Sequence, residues 1–372
     1  RQQPAAKAAA DAYDFEIPDE LVLAQRKHEE WYFPKGQRRL ARWEASKSKL
    51  RQPGEWTSLP HKELKQLIRK GVPRQHRPSV WWDVLRCQER LRQHPSLFDN
   101  YGTKQLDEQT AEEIKRDLHR TFPTHPRLAG AGGKEDLEKV LVAFAHHNPR
   151  IRYCQGLNFI AGVFLIVFSK PVHAFWALTN AVEMLHIEDF YAPGMKLLRA
   201  DMMVLQSLFK YNVPKVAALF EEHGVDITSI CSDWFITWFA KSLPTMTMMR
   251  VWDVLFFEGF KVLFRIAIGI LKHAEPDLLN CKNFERLMIE AKDWPKKEFQ
   301  HNALLKLSFY KLKRVERAAL VQDREQAISR VEHEDQELRR RREQVRAKAA
   351  AGSASPSPER PHQQQQQQQQ QQ

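Results

Sequence analysis

Cysteine is scarce in this chain, with 4 in 372 residues. Cys87, Cys154, Cys231 and Cys281 lie 50 or more residues apart, so no pair has metal-ligand spacing and they make no disulfide framework. A reducing, cytosolic setting is the expectation. Long apolar runs are missing too. The longest, Leu157 to Phe168, contains an Asn and falls short of the roughly 20 residues a membrane span needs, so it reads as a buried core helix. The N-terminus, Arg1 to Ala10, is polar and Ala-rich and lacks the apolar stretch of a signal peptide. Its first residue is Arg rather than Met, as a fragment of a longer protein would show. Alternating strand patterns and fixed-period repeats do not occur.

Acidic residues are in deficit, and the formal net charge is +12. Its location decides what it means. Residues 1–70 carry 15 basic and 10 acidic groups, and residues 311–350 carry 12 and 8. Residues 71–310 carry 30 and 27, a net of only +3. The excess sits in the flanks, where solvated or membrane-surface charge is the plain reading. The near-neutral middle offers no aromatic-plus-basic module, which argues against nucleic acid.

What is present is helical periodicity. Residues 1–60 mix Ala, charge and a short aromatic stretch (Trp31, Tyr32, Phe33), and read as a flexible segment with at most one short docking helix. From Lys62 the pattern tightens: Leu64, Leu67 and Ile68 precede a Gly71-Val72-Pro73 stop, and Trp81, Trp82, Val84 and Leu85 open another helix. Further helices are predicted at about 111–120, 135–147, 155–168, 172–186, 195–210, 214–223, 227–242, 246–257, 261–273, 283–291 and 297–312. Turn residues separate them, including Pro123 with Pro126, a flexible Gly130–Gly133 loop, and Gly259. The sum is one all-α domain of many short helices over 61–312. Residues 313–350 form a charged helical segment. Val331, Leu338 and Val345 fall seven apart there as in a coiled-coil seam, but Asp335 and Arg342 occupy the companion row, so a solvated helix competes. Residues 351–372 are a low-complexity Pro/Ser and poly-Gln tail, expected to be disordered.

Two segments could carry chemistry. In the first, Ile114, Asp117 and Leu118 share a helix face, and Asp117 lies three residues before Arg120. The helix must stop before Pro123, because the residue preceding proline is pushed out of the α region. Arg120 is thus delivered at a helix end with a carboxylate able to hold its guanidinium, a suitable mount for an arginine reaching a phosphate. Taken alone, a surface Asp–Arg ion pair is the plainer reading. The second segment runs from Asn148 through Tyr153, Gln155 and Asn158 and places Gln155 near a helix N-terminus, where backbone N–H groups favour a phosphate. A lone Gln there is usually a cap or simply exposed. The helix 135–147 separates its ends by roughly 20 Å. The 14 residues from Thr121 to Lys134 can return along it at up to about 3.3 Å each, so one shared site is allowed but not required.

These two segments resemble the paired signatures of TBC domains, the helical catalytic domains of Rab GTPase-activating proteins: an Ile-x-x-Asp-x-x-Arg, then a Tyr-x-Gln about 35 residues on. Here they are Ile114, Asp117 and Arg120, then Tyr153 and Gln155, with 35 residues from Arg120 to Gln155. Gly71-Val72-Pro73 with Arg77 and Trp81 looks like the family's opening motif. Ser232-Asp233-Trp234-Phe235, Ser242-Leu243-Pro244 and Arg250-Val251-Trp252-Asp253 with Glu258-Gly259 look like its closing ones, all within residues 71–259. Arg152 stands where a Gly commonly precedes the Tyr, and Leu157 where a Met commonly follows the Gln-Gly.

The resemblance implies a GTPase activator rather than an enzyme with its own substrate. A Rab-family GTPase in its GTP-bound form would be the partner, and the setting vesicle trafficking. Arg120 would neutralise charge on the transferred phosphate and Gln155 would hold the attacking water. Asp117 would aim Arg120, and Tyr153 and Ile114 would support the loops. Arg152, Asn158 and Arg77 are candidate contacts for the GTPase. The resemblance implies no cofactor or metal of the chain's own, since GTP and Mg2+ are carried by the GTPase. It also implies a cytoplasmic location, peripheral on endomembranes. The competing reading is a TBC-like scaffold that binds a GTPase without accelerating it; intact Arg120 and Gln155 argue against that. A Cys154–His146/His147 hydrolase is disfavoured, because a Cys wedged between Tyr and Gln before an apolar helix is more often packing. Because every motif lies inside the helical domain, the flanks are expected to be dispensable for activity.

Overall fold

The computed structural model describes residues 9–313 and 315–353, with side chains to 348. Among them the fold is all-α, and no strand forms beyond an isolated bridge between Ala10 and Glu16. Every helix expected from periodicity between 111 and 312 is present, most with ends within a few residues of the expected ones. Pro171–Leu185, Thr245–Glu258 and Lys261–His273 are examples. The stretch expected at 227–242 is shorter, Thr228–Ile236. Trp238 and Phe239 both take left-handed backbone (φ 48° and 66°), which a continuing helix does not allow. The glycine run is not a flexible loop. Gly130 precedes the Ala131–His147 helix, and a Cβ on Gly133 would lie 2.1 Å from the Arg127 carbonyl oxygen. Glycine is what lets that helix start against the preceding turn.

The centre of the domain is the Leu157–Phe168 helix, buried at ten of its 12 positions. Its Phe164 converges with Trp81, Trp238 and Phe256 on Trp252, with ring centroids 5.3–5.7 Å from that indole. The buried indole N–H of Trp252 donates to the Trp238 carbonyl at 2.8 Å. That bond satisfies a donor that would otherwise offset the burial. No helix among the described residues is long and apolar enough to cross a membrane.

The opening and closing motifs meet in one buried charge cluster. Arg77 donates to both oxygens of Asp253 (2.8 and 3.0 Å) and to the Val72 carbonyl, and Trp81 Nε1 donates to the same carboxylate at 3.0 Å. Arg250 joins at 3.5 Å. A Cβ at Gly71 would sit 2.9 Å from the Arg250 guanidinium, and Gly71 has φ 121°, so glycine is required there twice over. Arg77 is 1% exposed, which corrects its expected role: it cannot touch a GTPase. Burial alone would lower its pKa, yet the adjoining Asp253 and Tyr13 raise it, and the guanidinium stays charged.

The N-terminal flank also departs from expectation over its described part. Residues 19–47 form one 29-residue helix rather than a flexible segment, and Trp31 and Phe33 point outward. The anchors are elsewhere. Trp43 is buried and donates to the Gly71 carbonyl at 2.9 Å, and buried Tyr13 accepts from Arg77 through its hydroxyl and bonds His125 through its carbonyl. The charged segment beyond residue 313 is a helix, Arg317–Ser353, whose first part buries Arg324 against Asp201 (both bonds 2.6 Å). Further along it, Leu338 and Val345 are exposed. Of the low-complexity tail expected at 351–372, residues 351–353 close that helix and the rest lie outside the described residues, as do residues 1–8 and 314.

Candidate functional site

The helix that presents Arg120 is Glu108–Leu118. Asp107 caps it, accepting from the Thr110 N–H at 3.1 Å, and Ile114 and Leu118 turn its apolar face into the core. The helix ends as the sequence dictates. Thr121 bonds back to the Asp117 carbonyl at 2.6 Å, and Phe122, held left-handed (φ 46°), packs between Phe15 and Phe159 ahead of Pro123. Arg120 therefore sits in the closing turn, with its side chain 46% exposed and its guanidinium 2.6 Å from Asp117 Oδ1.

The glutamine loop is set against that turn. Tyr153 is buried and donates from its hydroxyl to Asp117 Oδ2 at 2.5 Å, so Asp117 holds Arg120 with one oxygen and Tyr153 with the other. Burial, and then the bond to Asp117, push the Tyr153 pKa upward, which keeps that hydroxyl a donor. Asn158 makes a second tie. Its amide donates to Thr121 Oγ1 at 2.8 Å, while its carbonyl oxygen accepts from the Gly156 N–H at 3.0 Å. Asn158 is fully buried, so it fixes the glutamine turn to the arginine turn and is not the surface contact expected. Gly156 has φ 114°, and a Cβ there would lie 2.4 Å from Ile236.

Gln155 is exposed, two residues before the Leu157–Phe168 helix starts. The free helix N-terminus expected beside it is partly used up, since the Gly156 N–H serves Asn158 and the Leu157 N–H bonds the Cys154 carbonyl. A cleft of about 460 Å³ joins the two turns, lined by Glu113, Arg116, Asp117, Arg120, Tyr153, Cys154 and Gln155. Arg116 was missed from sequence. It stands four residues before Arg120, on the same rim, and that i,i+4 spacing was the available signal. Thr121, the acceptor for Asn158, had no comparable signal. Burial first, then Glu113 and Asp117, hold the Cys154 thiol up at about 11, so it is no ready nucleophile. Arg152 is exposed, reaches Asp107 at 3.4 Å, and has φ 56°. That left-handed backbone is the physical reason a glycine suits the position. Among the described residues no cluster of three or more His, Cys, Asp or Glu could hold a metal.

A family model, the Rab-GTPase-TBC domain, matches residues 74–279. Growth hormone-regulated TBC protein 1 of Xenopus laevis is 36% identical over 296 residues, covering 78% of this chain and 84% of that protein. Its Xenopus tropicalis counterpart is 37% identical, over 64% of this chain and 70% of its own length. Among solved structures, the Chlamydomonas flagellar RabGAP TBC domain superposes with a TM-score of 0.71 at 28% identity, over 82% of this chain and 99% of that one. The Ypt/Rab-GAP domain of Gyp1p has a TM-score of 0.61 at 18% identity, over 74% and 97%, and supports the fold alone.

Proposed function

The chain belongs to the Rab-GTPase-TBC domain family, and from that premise we propose that it accelerates GTP hydrolysis by a Rab-family GTPase with Arg120 and Gln155 acting in trans. The observation that carries this reading is the divided carboxylate of Asp117, which ties the Arg120 turn to the Tyr153–Gln155 loop beside one open cleft. Phosphoryl transfer asks a protein mainly for positioning and charge stabilisation. An arginine supplied in trans is worth about 10³–10⁵ in rate, roughly 4–7 kcal/mol of barrier. Arg120 is exposed, always charged and aimed, so it can place its planar fork on phosphate oxygens. Gln155 carries an amide that can accept from water and donate to phosphate at once. Nucleotide and magnesium come with the GTPase, which also brings the activator to vesicle membranes from the cytoplasm.

The test is single-turnover GTP hydrolysis at saturating activator, with a responsive Rab and with the same Rab carrying its switch glutamine changed to Ala. If Gln155 holds the water, the altered Rab stays substantially responsive, and Gln155→Ala lowers the rate on both. Full resistance of the altered Rab, with Gln155→Ala still active on the normal one, would return that role to the GTPase. Binding to GTP-loaded Rab without acceleration by the intact chain would instead support a scaffold.

A further inference from the structure

Away from the Arg120 cleft, two helices turn basic stripes, and a third a single lysine, toward one hollow. The Asp19–Lys47 helix contributes Lys35, Arg38, Arg39 and Arg42, spaced i, i+3, i+4 and i+7. The His61–Lys70 helix contributes Lys62, Lys65 and Arg69 at i, i+3 and i+7. The His301–Tyr310 helix brings Asn302, Lys306 and Phe309. These spacings put each set on one helix face. The hollow measures about 720 Å³, within the roughly 300–1,000 Å³ of small-ligand sites, and its described lining contains no acidic side chain.

The charges there are unevenly answered. Glu258, with its side chain 2% exposed, bonds Arg69 at 2.5 Å and lies 3.9 Å from Lys65, neutralising that wall from behind. Arg39 donates to Asn302 at 2.8 Å but has no carboxylate partner among the described residues, and its pKa falls to about 9 through burial and the neighbouring Arg250. Arg38, Arg42, Lys62, Lys70 and Lys306 form no ion pair among the described residues. A solvated face usually spreads such charge and intersperses acids. Here like charges are gathered around a concavity with an apolar floor of Val254, Leu305 and Phe309, an arrangement that repels itself until an anion enters.

We infer that this hollow binds a compact polyphosphate, either the multiply phosphorylated headgroup of a membrane lipid or a free polyphosphate of the same chemistry. Arginine forks and lysine ammonium groups from three directions suit phosphates spread around a small ring better than a single carboxylate. The cations gather around one local, half-open hollow, whereas a long strand would need a groove tracking its backbone.

The full chain is titrated calorimetrically with inositol hexakisphosphate. It is also sedimented with phosphatidylcholine vesicles carrying either a bisphosphorylated inositol lipid or phosphatidylserine at equal total charge. The double variant Arg38→Gln with Lys306→Gln removes two exposed, unpaired cations from different helices. At about 1 kcal/mol per cation it should weaken binding about 30-fold, with an unchanged melting temperature. The charge-matched variant Lys282→Gln with Lys292→Gln, outside the hollow, should bind as the unchanged chain does. Vesicle recruitment that favours the inositol lipid and is displaced by inositol hexakisphosphate identifies a headgroup; soluble binding without recruitment identifies a free polyphosphate. Equal recruitment by both vesicle types, equal weakening by both variants, or preference for single-stranded nucleic acid over inositol hexakisphosphate overturns the site.

Discussion

Arg77 and Arg120 each pair with an aspartate, at 2.8 and 2.6 Å, yet surroundings give the two pairs opposite meanings. Arg77 and Asp253 have side chains 1% and 0% exposed, so removing either leaves a charge buried without its partner. Arg77→Ala should cost roughly 3–5 kcal/mol, read as a lowered denaturant midpoint, with any loss of activity following the loss of fold. Arg120 keeps a side chain 46% exposed, and such an ion pair is worth at most about 1 kcal/mol. Arg120→Lys should therefore melt like the unchanged chain while losing most of the acceleration, because an ammonium lacks the planar fork. Wild-type rates for Arg120→Lys would remove the arginine from the mechanism. A matching fall in stability would recast it as structural. The three-residue spacing of Asp117 and Arg120 showed an ion pair, and only the resemblance of the two segments to a family signature singled it out. Sequence could not rank Arg77 against them, because the residue that neutralises Arg77 lies 176 positions away.

Legibility among the helices tracked how many apolar positions each one buries. Helices with a clear apolar face, such as Glu108–Leu118 and Lys261–His273, were readable because burial fixes their periodicity. The Asp19–Lys47 helix buries only Gln25, Trp43 and Ser46, so its sequence resembles a solvated segment. Its middle docks instead through rings: His28 and Tyr32 meet His301 at centroid distances of 5.0 and 4.6 Å. His301 is buried with neither ring nitrogen hydrogen-bonded. Burial, and then Arg250, His28, Arg39 and Arg77, push its pKa well below the ordinary 6.5. The folded chain therefore holds His301 neutral while the unfolded chain protonates it. This contribution to stability is intact above about pH 6.5 and is lost as pH falls below that value. Melting temperature should fall between pH 7 and pH 5, and His301→Phe should flatten that part of the profile. An unchanged slope in the variant would assign the acid sensitivity to other groups.

At the scale of the molecule, sequence motifs outlined the domain but not its margin. The signatures lie within 71–259, which suggested that a chain starting near 61 would be self-sufficient. The structure places two supports of the buried Asp253 cluster before that point. Tyr13 accepts from Arg77, and Trp43 donates to the carbonyl of Gly71, the glycine that packs on Arg250. Trp43 also lies 4.9 Å from the Trp56 ring, and both indoles are 1% exposed. Removing a buried Trp side chain alone costs about 3–5 kcal/mol, a large part of the roughly 5–15 kcal/mol that holds a domain folded. A chain beginning at residue 61 also loses Trp56, and it leaves the Arg77 guanidinium without its phenol and the Gly71 carbonyl without its donor. It should therefore melt far lower than one beginning at residue 9, or fail to fold. Residues 9–18 and 19–60 can be separated. A chain starting at 19 loses Tyr13 but keeps Trp43, and should fall between the two. Ordered melting temperatures across the three starts would place the N-terminal helix inside the folding unit. If the chain starting at 61 melted with the longer ones, the helix would be an appendage, and the Asp253 cluster would be sustained by Arg77, Trp81, Arg250 and the Val72 N–H.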